Sequence, residues 1–403
     1  MTAQTMVVST PFDNLQLDEL RRRSCAKWQY YPEDVLPLWV AEMDAYAAQP
    51  IVDAVHDAMV LGDTGYPWGP RLQTAVASFA ADRWGWTFDP AQAITVTDVM
   101  TGVLESVQKL SKPGDPVILT PPIYPPFKMV TDMLERPMIP ARLSAEGRLD
   151  LDALEAAFSA AAKSGGTPIL LLSNPHNPTG TVHTREELES VARLARTHGA
   201  RVVSDEIHAP LIMPTSTFTP FLSVAGTEPD VSLISASKGW NLAGFKAAVA
   251  IPGADAVEDL KAINHRMGTH PGHIAVIAHS TAFDRARDWL DGVIAGIDAN
   301  RYLLAELLTE HLPAAKYTPP EATYLAWIDC RDLGLGDDPA NVFLELGRVG
   351  LSGGLPFGEG GEGHVRFNIA TSPAIVTEAV ERMAAAVEAY KLQSSESQDD
   401  SRS

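Results

Sequence analysis

The sequence predicts an α/β protein with a mostly parallel sheet in a large domain and a second, smaller region beside it. Between residues 162 and 252, short apolar runs alternate with helical stretches, which is the pattern of βαβ units. The chain has 403 residues and is 45% hydrophobic. A chain of that length and composition can bury enough apolar surface for two or three domains.

One βαβ unit is predicted residue by residue. The run ILLL at 169–172 is short, apolar and closed by an Asn-Pro turn, as expected of a buried strand. Thr184 is then the predicted N-cap of a helix, with Glu187 in the capping-box position, and Gly199 ends that helix. The next strand is predicted directly afterwards, at 201–204.

Two further strands are predicted at 231–235 and 247–251. Successive strands therefore present their carboxyl ends near Asn177, Asp205 and Lys238. Such strand ends form the ligand crevice of open α/β sheets. We expect these three side chains to lie together in that crevice.

The same pattern predicts how the chain is divided. Residues 1–60 contribute to the small domain, 61–288 form the large domain, and 289–392 return to the small domain. The last residues, 393–403, are polar and are expected to form a disordered tail.

Composition argues against several classes of protein. A net charge of −20 disfavours nucleic-acid binding, which depends on clustered Lys and Arg. No apolar run reaches the roughly 18 residues that span a bilayer, and the first residues lack a signal-peptide pattern, so a cytoplasmic protein is expected. Cys25 and Cys330 fit no disulfide framework or metal spacing and are expected to be reduced thiols.

Three residues carry the strongest chemical signal, although each has an ordinary alternative. Lys238, in SASKGWN, follows a predicted strand; it could form imines with carbonyls if its amine is neutral, or it could be a solvated lysine. Asp205, in VVSDEIH, could pair with a protonated pyridine nitrogen or cap a helix. Asn177, in SNPHNPTG, lies in a generic turn motif.

Taken together, the three segments resemble the fold-type I enzymes that use pyridoxal 5′-phosphate (PLP), the aspartate aminotransferase superfamily. The resemblance implies an aspartate aminotransferase-like α/β fold, with a large PLP-binding domain built on a mostly parallel sheet and a smaller α+β domain. It also implies that Lys238 forms the Schiff base with PLP, Asp205 pairs with the pyridine nitrogen, and Asn177 binds the phenolic oxygen.

The resemblance also assigns residues to the cofactor phosphate. Gly102 and Val103 match the positions that hold the phosphate, just before a helix predicted at 104–110, and a helix N-terminus favours anions. Ser235 matches a further phosphate ligand. Lys246 stands where many relatives have an arginine, so a point charge replaces a bidentate group.

Three other positions match the superfamily's contacts to the ring, the substrate and the partner subunit. Tyr124 corresponds to the residue that stacks on PLP, and a turn tyrosine is the alternative. Arg366, in HVRFNIA, corresponds to the arginine that binds the substrate α-carboxylate, and an exposed strand arginine is the alternative. Tyr66, in GDTGYPWGP, resembles the tyrosine that reaches the partner's cofactor phosphate. The resemblance therefore implies a homodimer with shared active sites and a small amino-acid substrate.

Two other patterns are interpreted as structural. A G-x-G-x-x-G pattern follows no βαβ start, so a flexible loop is predicted instead of a dinucleotide site; it is formed by Gly358, Gly360 and Gly363. Four histidines lack the helical pairing and carboxylate companions of a metal site, so no metal is expected; they are His265, His270, His273 and His279.

Additional segments narrow the resemblance to one branch. The segments KWQYYPEDVLPLWVAEMD at 27–44, GYPWG, SDEIHAPL and SASKGWN resemble the MalY/PatB-type branch of cystathionine β-lyases and cysteine-S-conjugate β-lyases. His208 replaces the tyrosine by which typical aminotransferases contact the phenolic oxygen, so His208 is a candidate cofactor contact. The chain departs from the branch at Glu42, Ala45 and Pro210, where Asp, Phe and Asp are more usual, and these changes concern the substrate more than the cofactor.

The branch implies a carbon–sulfur β-lyase that cleaves cystathionine or related L-cysteine S-conjugates to pyruvate, ammonia and a thiol. Two alternatives stay open. An aminotransferase could use the same residues and deliver a proton to the C4′ carbon of PLP. A regulatory role is the other alternative, because members of this branch can double as partners of transcription factors.

Overall fold

Helices and strands alternate along the computed structural model, which describes residues 10–263 and 270–400. The helices are α1 (Leu17–Arg21), α2 (Ala26–Gln29), α3 (Gln49–Leu61), α4 (Arg71–Trp84), α5 (Val99–Leu110), α6 (Pro125–Met133), α7 (Leu151–Ala162), α8 (Arg185–Thr197), α9 (Ala236–Gly239), α10 (Val257–Ile263), α11 (His273–Arg285), α12 (Arg287–His311), α13 (Pro339–Gly347) and α14 (Pro373–Asp400). The strands are β1 (Leu36–Pro37), β2 (Ile94–Val96), β3 (Val117–Leu119), β4 (Met138–Pro140), β5 (Ile169–Ser173), β6 (Arg201–Asp205), β7 (Val231–Ile234), β8 (Ala248–Pro252), β9 (Lys316–Tyr317), β10 (Leu325–Asp329), β11 (Val349–Gly350), β12 (Ser352–Gly353) and β13 (His364–Asn368).

Within the described ranges, a central sheet of seven strands has the order β2-β8-β7-β6-β5-β3-β4. Strand β8 is antiparallel to both of its neighbours, and the other pairs are parallel. The mostly parallel sheet predicted from the sequence is therefore confirmed. The strands predicted at 169–172 and 201–204 are β5 and β6, which pair with Leu171 opposite Val203.

The helix between β5 and β6 forms as its sequence predicts. The Glu187 N–H donates to the Thr184 hydroxyl at 3.2 Å, and the Thr184 N–H donates to the Glu187 carboxylate at 2.7 Å. This capping box satisfies N–H groups that the start of a helix leaves unpaired. Leu188 and Val191 of this helix, α8, are fully buried against the sheet.

Helices cover both faces of the central sheet. Side chains of a strand alternate between its two faces, so Ile169 and Leu171 join the apolar cluster of α5, whereas Leu170 and Leu172 join that of α7 and α8. Both faces of β5 are therefore buried. This explains why its sequence is a continuous apolar run without polar alternation.

Helix α5 begins earlier than its sequence pattern predicts. The pattern places the helix at 104–110, but the structure starts it at Val99, with Asp98 as N-cap. Gly102 therefore lies inside the helix, where a Cβ atom would come within 2.1 Å of the Leu233 side chain. The glycine allows close packing of α5 on β7, and the prediction that it precedes the helix is wrong.

A smaller antiparallel sheet, in the order β12-β13-β10-β9, forms the second part of the molecule. A parallel pair joins β1 from the N-terminal segment to β11. The predicted division differs from the observed packing, because α3 of the 1–60 segment packs on α11 of the large part. The boundaries at 60/61 and 288/289 also fall inside the continuous helices α3 and α12.

The C-terminal helix α14 includes residues that the sequence assigns to the tail. It extends to Asp400, so the tail expected to be disordered from 393 is helical over its described residues. A helix adds one hydrogen bond per residue once it is nucleated, and the first part of α14 is anchored by buried residues such as Val380 and Met383. None of the described helices is both long and apolar enough to cross a membrane. The cytoplasmic location stays a prediction.

Candidate active site

A cavity of about 580 Å³ lies between the carboxyl edge of the central sheet and the smaller sheet. Asn177, Asp205 and Lys238, which follow or end successive strands, all line this cavity. The structure therefore brings the strand-end residues together, while their chemical roles stay predictions. Other residues singled out from the sequence line it as well: Tyr124, His208, Lys246 and Arg366.

Lys238 lies on the short helix α9, directly after β7. Its amine donates to the Ala41 carbonyl at 2.9 Å. Burial, assisted by the charge of Arg366, lowers the pKa of Lys238 to about 8. A sizeable fraction of the amine is therefore neutral near pH 8, and only a neutral amine can act as a nucleophile or accept a proton.

Asp205 is the last residue of β6 and is buried. Its Oδ1 accepts a hydrogen bond from the Ile207 N–H at 3.0 Å. Burial raises the pKa of Asp205 to about 6, against the opposing effect of the Lys238 charge. A buried carboxylate of this kind is stabilised by a cation that enters the cavity, such as a protonated ring nitrogen.

Arg366 projects from β13 and is held in one orientation. Its guanidinium donates to Asn177 Oδ1 at 3.1 Å, to the Trp39 carbonyl at 3.2 Å and to the Ser352 hydroxyl at 3.3 Å. Its Cζ atom lies 5.1 Å from the centre of the Phe357 ring, a distance at which a cation is attracted by an aromatic face. Burial lowers the pKa of Arg366 to about 10, so the group stays charged at neutral pH and can bind a carboxylate.

His208 is buried in the cavity wall, and its Nδ1 has no hydrogen-bond partner among the described residues. Burial, followed by the charges of Lys238 and Arg366, lowers the pKa of His208 well below its ordinary value. The ring is therefore neutral at pH 7. Neutral imidazole has one donor and one acceptor nitrogen, so a ligand in the cavity could pair with the free nitrogen.

The N-terminus of α5 forms one end of the cavity, where Asp98, Val99 and Met100 line it. The Thr101 N–H donates to the Asp98 carboxylate at 2.7 Å, whereas the first two N–H groups of an α-helix have no intrahelical acceptor. The N–H groups of Val99 and Met100 can therefore bind an anion. Lys246 reaches the same end, with its amine 2.9 Å from Asp98 Oδ2.

Three residues assigned to the phosphate lie elsewhere than expected. Gly102 and Val103 are buried in the body of α5 and do not line the cavity, because the helix begins at Val99 and the Gly102 N–H donates to the Asp98 carbonyl. Ser235 lies behind Ser237: its hydroxyl is 2.7 Å from the Ala247 carbonyl and accepts from the Ser237 N–H at 3.1 Å. Ser237 lines the cavity in its place.

Tyr66 lies in the loop between α3 and α4, outside this cavity, and its side chain is 98% exposed. It does not contribute to the site of its own chain. The loop presents a second large aromatic side chain to the surface, Trp68, which is 95% exposed.

The two patterns interpreted as structural are located as follows. Gly358, Gly360 and Gly363 have φ angles of 88°, 86° and 70°, which only glycine adopts freely, and they form the loop before β13. His265 lies outside the described residues. His273 pairs with Asp63, and across the described ranges no three His, Cys, Asp or Glu side chains are grouped as a metal site.

Several residues that line the cavity could not be recognised as site residues from their residue type. Trp39, Val40 and Ala41 belong to the segment WVAEMD and line the cavity. The carbonyl of Trp39 accepts from Arg366 and that of Ala41 accepts from Lys238. Backbone carbonyl groups are the same in every residue. Only the resemblance of this segment to the β-lyase branch could therefore have indicated that it lies at the active site. Three positions of the sequence differ from the β-lyase branch, and none of them lines the cavity; they are Glu42, Ala45 and Pro210.

The cavity fits PLP in charge and in hydrogen bonding. Asp205 can face a ring nitrogen, the amine of Lys238 can react with an aldehyde, and the α5 N-terminus with Lys246 can hold a phosphate. The unpartnered nitrogen of His208 and the amide of Asn177 lie on the same cavity and can pair with a phenolic oxygen. Tyr124 supplies an aromatic wall.

Comparisons with known proteins agree with this chemistry. The sequence profile described as "Aminotransferase class I and II" matches residues 64–383. A provisionally named cystathionine β-lyase of Mycobacterium leprae is 47% identical, over 94% of this chain and 99% of that protein. "Cystathionine beta-lyase PatB" of Bacillus subtilis is 33% identical, over 88% and 93%. The crystal structure of a provisionally named PLP-dependent β-cystathionase of Corynebacterium diphtheriae is 34% identical, with a TM-score of 0.87 over 94% of this chain and 99% of that one.

Proposed function

We propose, because this chain belongs to the family of class I and II aminotransferases, that it is a PLP-dependent carbon–sulfur β-lyase. Its substrates would be cystathionine or related L-cysteine S-conjugates. The observation that carries the proposal is the convergence of three groups in one cavity: the amine of Lys238, the buried carboxylate of Asp205 and the guanidinium of Arg366. Relatives named cystathionine β-lyase that match nearly the whole chain support the choice of reaction.

Each of the three groups has a distinct task in this proposal. Arg366 binds the α-carboxylate of the amino acid and orients it. Lys238, as a neutral amine, removes the proton from Cα. Asp205 keeps the ring nitrogen protonated, and PLP when bound supplies an electron sink for the pair of electrons left on Cα.

Elimination then follows from the chemistry of the substrate. The β-carbon carries sulfur, and the C–S bond breaks with its electron pair going to the sulfur, which leaves as a thiolate. The remaining three-carbon unit takes up water to give pyruvate and ammonia. For cystathionine the thiol is homocysteine, and no second substrate other than water is consumed.

The first prediction separates β-elimination from transamination. Purified protein given L-cystathionine and PLP should release pyruvate and a free thiol over many turnovers without added keto acid. The physical reason is that a thiolate leaves readily, so cleavage of the β-bond competes well with proton delivery to the cofactor. Pyruvate can be followed with lactate dehydrogenase, and the thiol with a chromogenic aromatic disulfide reagent.

The control uses L-alanine, which has the same α-carbon groups but no leaving group and should give no pyruvate in the absence of a keto acid. If turnover of every thioether tested requires a keto acid, and amino-group transfer to it dominates, the lyase proposal is wrong. The chain would then be an aminotransferase.

We also propose that two copies of the chain share their active sites. The surface from α3 to the loop after it exposes a group of large apolar side chains, and contiguous exposure of this kind marks interaction sites; the group is Met59, Val60, Leu61, Tyr66 and Trp68. Tyr66 lies within this group. In a homodimer it would reach the phosphate end of the partner's cavity.

The second prediction tests sharing by complementation. Chains with Tyr66→Phe mixed with chains with Lys238→Ala should form heterodimers in which one site contains both native residues. Activity should therefore rise above that of either homodimer, when heterodimers are isolated by two affinity tags. If Tyr66 serves its own chain, neither site is intact, and verified heterodimers without restored activity would argue against sharing.

A further inference from the structure

The Ala41 carbonyl receives two hydrogen bonds from opposite parts of the chain. The amine of Lys238 donates to it at 2.9 Å, and the hydroxyl of Tyr324 donates to it at 2.8 Å. Tyr324 is completely buried and its ring lies 6.2 Å from that of His208. A carbonyl oxygen has two lone pairs, so these two donors use its full capacity.

The direction of this carbonyl is set by its neighbours in the segment. The amide of Asn368 donates both to the Val40 carbonyl at 2.7 Å and to the Glu42 carbonyl at 2.6 Å. Lys27 adds a bond to the Glu42 carbonyl at 3.2 Å. Because the carbonyls on both sides of Ala41 are held by other partners, its own carbonyl stays directed at Lys238 and Tyr324.

The backbone before Tyr324 is strained. Thr323 has a φ of 70°, which is unusual for a β-branched residue. Its N–H donates to the Leu211 carbonyl at 2.9 Å and its hydroxyl accepts from the Leu325 N–H at 3.0 Å. Strained residues persist where surrounding contacts hold them, and they occur often at functional sites. Here the strain is next to the residue that contacts Ala41.

We propose that Tyr324 is a positioning residue, which fixes the Ala41 carbonyl so that this carbonyl holds the free Lys238 amine during proton transfer at Cα. In that step one proton passes from Cα to the Lys238 nitrogen, and the electron pair of the C–H bond stays with the substrate carbon. An N–H of the amine bound to Ala41 limits the directions in which its lone pair can point. This inference rests on the proposed function in one respect only, namely that the reaction removes a proton from Cα.

The test compares two variants that each remove one buried tyrosine hydroxyl. Tyr324→Phe removes the bond to Ala41, whereas Tyr317→Phe removes a hydroxyl that has no hydrogen-bond partner among the described residues. The loss of one neutral hydrogen bond should leave the fold intact, and melting curves of both variants check this.

The first measurement uses the protein without PLP. Acetic anhydride at pH 8, followed by mass spectrometry of the Lys238 peptide, reports how freely the amine leaves Ala41. The rate at Lys238 should rise about fivefold in Tyr324→Phe, the factor expected for one lost hydrogen bond. The rate should be unchanged in Tyr317→Phe, and other lysines provide the internal reference.

The second measurement uses the protein with PLP bound and L-alanine in D₂O, where exchange at Cα is followed by NMR. The exchange rate should fall by roughly tenfold in Tyr324→Phe, because a displaced base transfers protons slowly. The visible spectrum without substrate should not change, since Lys238 is then bonded to the cofactor.

The proposal is overturned if either the acetylation rate or the Cα exchange rate of Tyr324→Phe equals that of Tyr317→Phe. Faster acetylation with normal exchange would mean that the contact exists but does not serve proton transfer. Acetylation needs no reaction, and Cα exchange is common to lyases and aminotransferases. A failure of the Tyr324 proposal can therefore be distinguished from a failure of the β-lyase proposal.

Discussion

Lys238→Ala is expected to reduce turnover of any thioether substrate by roughly a thousandfold or more, because it removes the proton-transfer base together with the covalent attachment point. The native protein should be yellow, and borohydride should bleach its visible band while fixing PLP to Lys238. The variant can still bind PLP noncovalently, since Asp205, Tyr124 and the N-terminus of α5 remain. Steady-state assays and peptide mass spectrometry check both statements.

A matched control is Lys128→Ala, which removes an exposed lysine on α6 that pairs with Asp132. Its turnover and its spectrum should equal those of the native protein. Recovery of the borohydride-reduced cofactor on any lysine other than Lys238 would overturn the assignment.

Asp205→Asn is expected to have opposite effects on activity and on stability. Activity should fall by at least about a hundredfold, because an amide cannot keep the ring nitrogen protonated. The protein without PLP should become more stable, because the native carboxylate is buried and its pKa is raised to about 6. Raising the pKa of this carboxyl from its ordinary value of about 3.9 to about 6 costs the native protein roughly 2–3 kcal/mol in its free energy of unfolding at neutral pH.

The size of this effect depends on pH. A raised pKa means that the folded protein holds the Asp205 proton more tightly than the unfolded chain does, so the native protein loses stability as pH rises from about 4 to about 6. The advantage of Asp205→Asn should be small at pH 4, grow through this interval and then level off. Denaturant unfolding of both proteins at pH 4, 6 and 8 measures it. An advantage of equal size at all three pH values would mean that the carboxylate is not the cause.

Much of the large part of the fold could be predicted because its signals are local. The apolar run of β5 and the capping box of α8 depend on residues a few positions apart. The meeting of Asn177, Asp205 and Lys238 follows from the rule that parallel strands end at the same edge of a sheet. Strand β8 was predictable as a strand, whereas its antiparallel direction depends on the path of the chain between β7 and β8.

The errors have physical causes that the sequence does not display. Gly102 is a poor helix former, so the pattern places the helix after it, but close packing on Leu233 requires a glycine inside the helix. Residues 393–400 are polar, yet they continue α14, whose earlier residues Val380 and Met383 are buried. Ser235 and Ser237 are alike in type, and only the structure shows which of them faces the cavity.

The contacts of the segment Trp39–Ala41 with the active site have a consequence for sequence divergence. Lys238 bonds to the carbonyl of Ala41 and Arg366 bonds to that of Trp39, so a backbone atom makes each contact. Substitutions in and around this segment can therefore accumulate over evolution while the catalytic geometry is inherited unchanged, provided that the backbone path is kept. Proline should be poorly tolerated in this segment, because it alters the backbone itself.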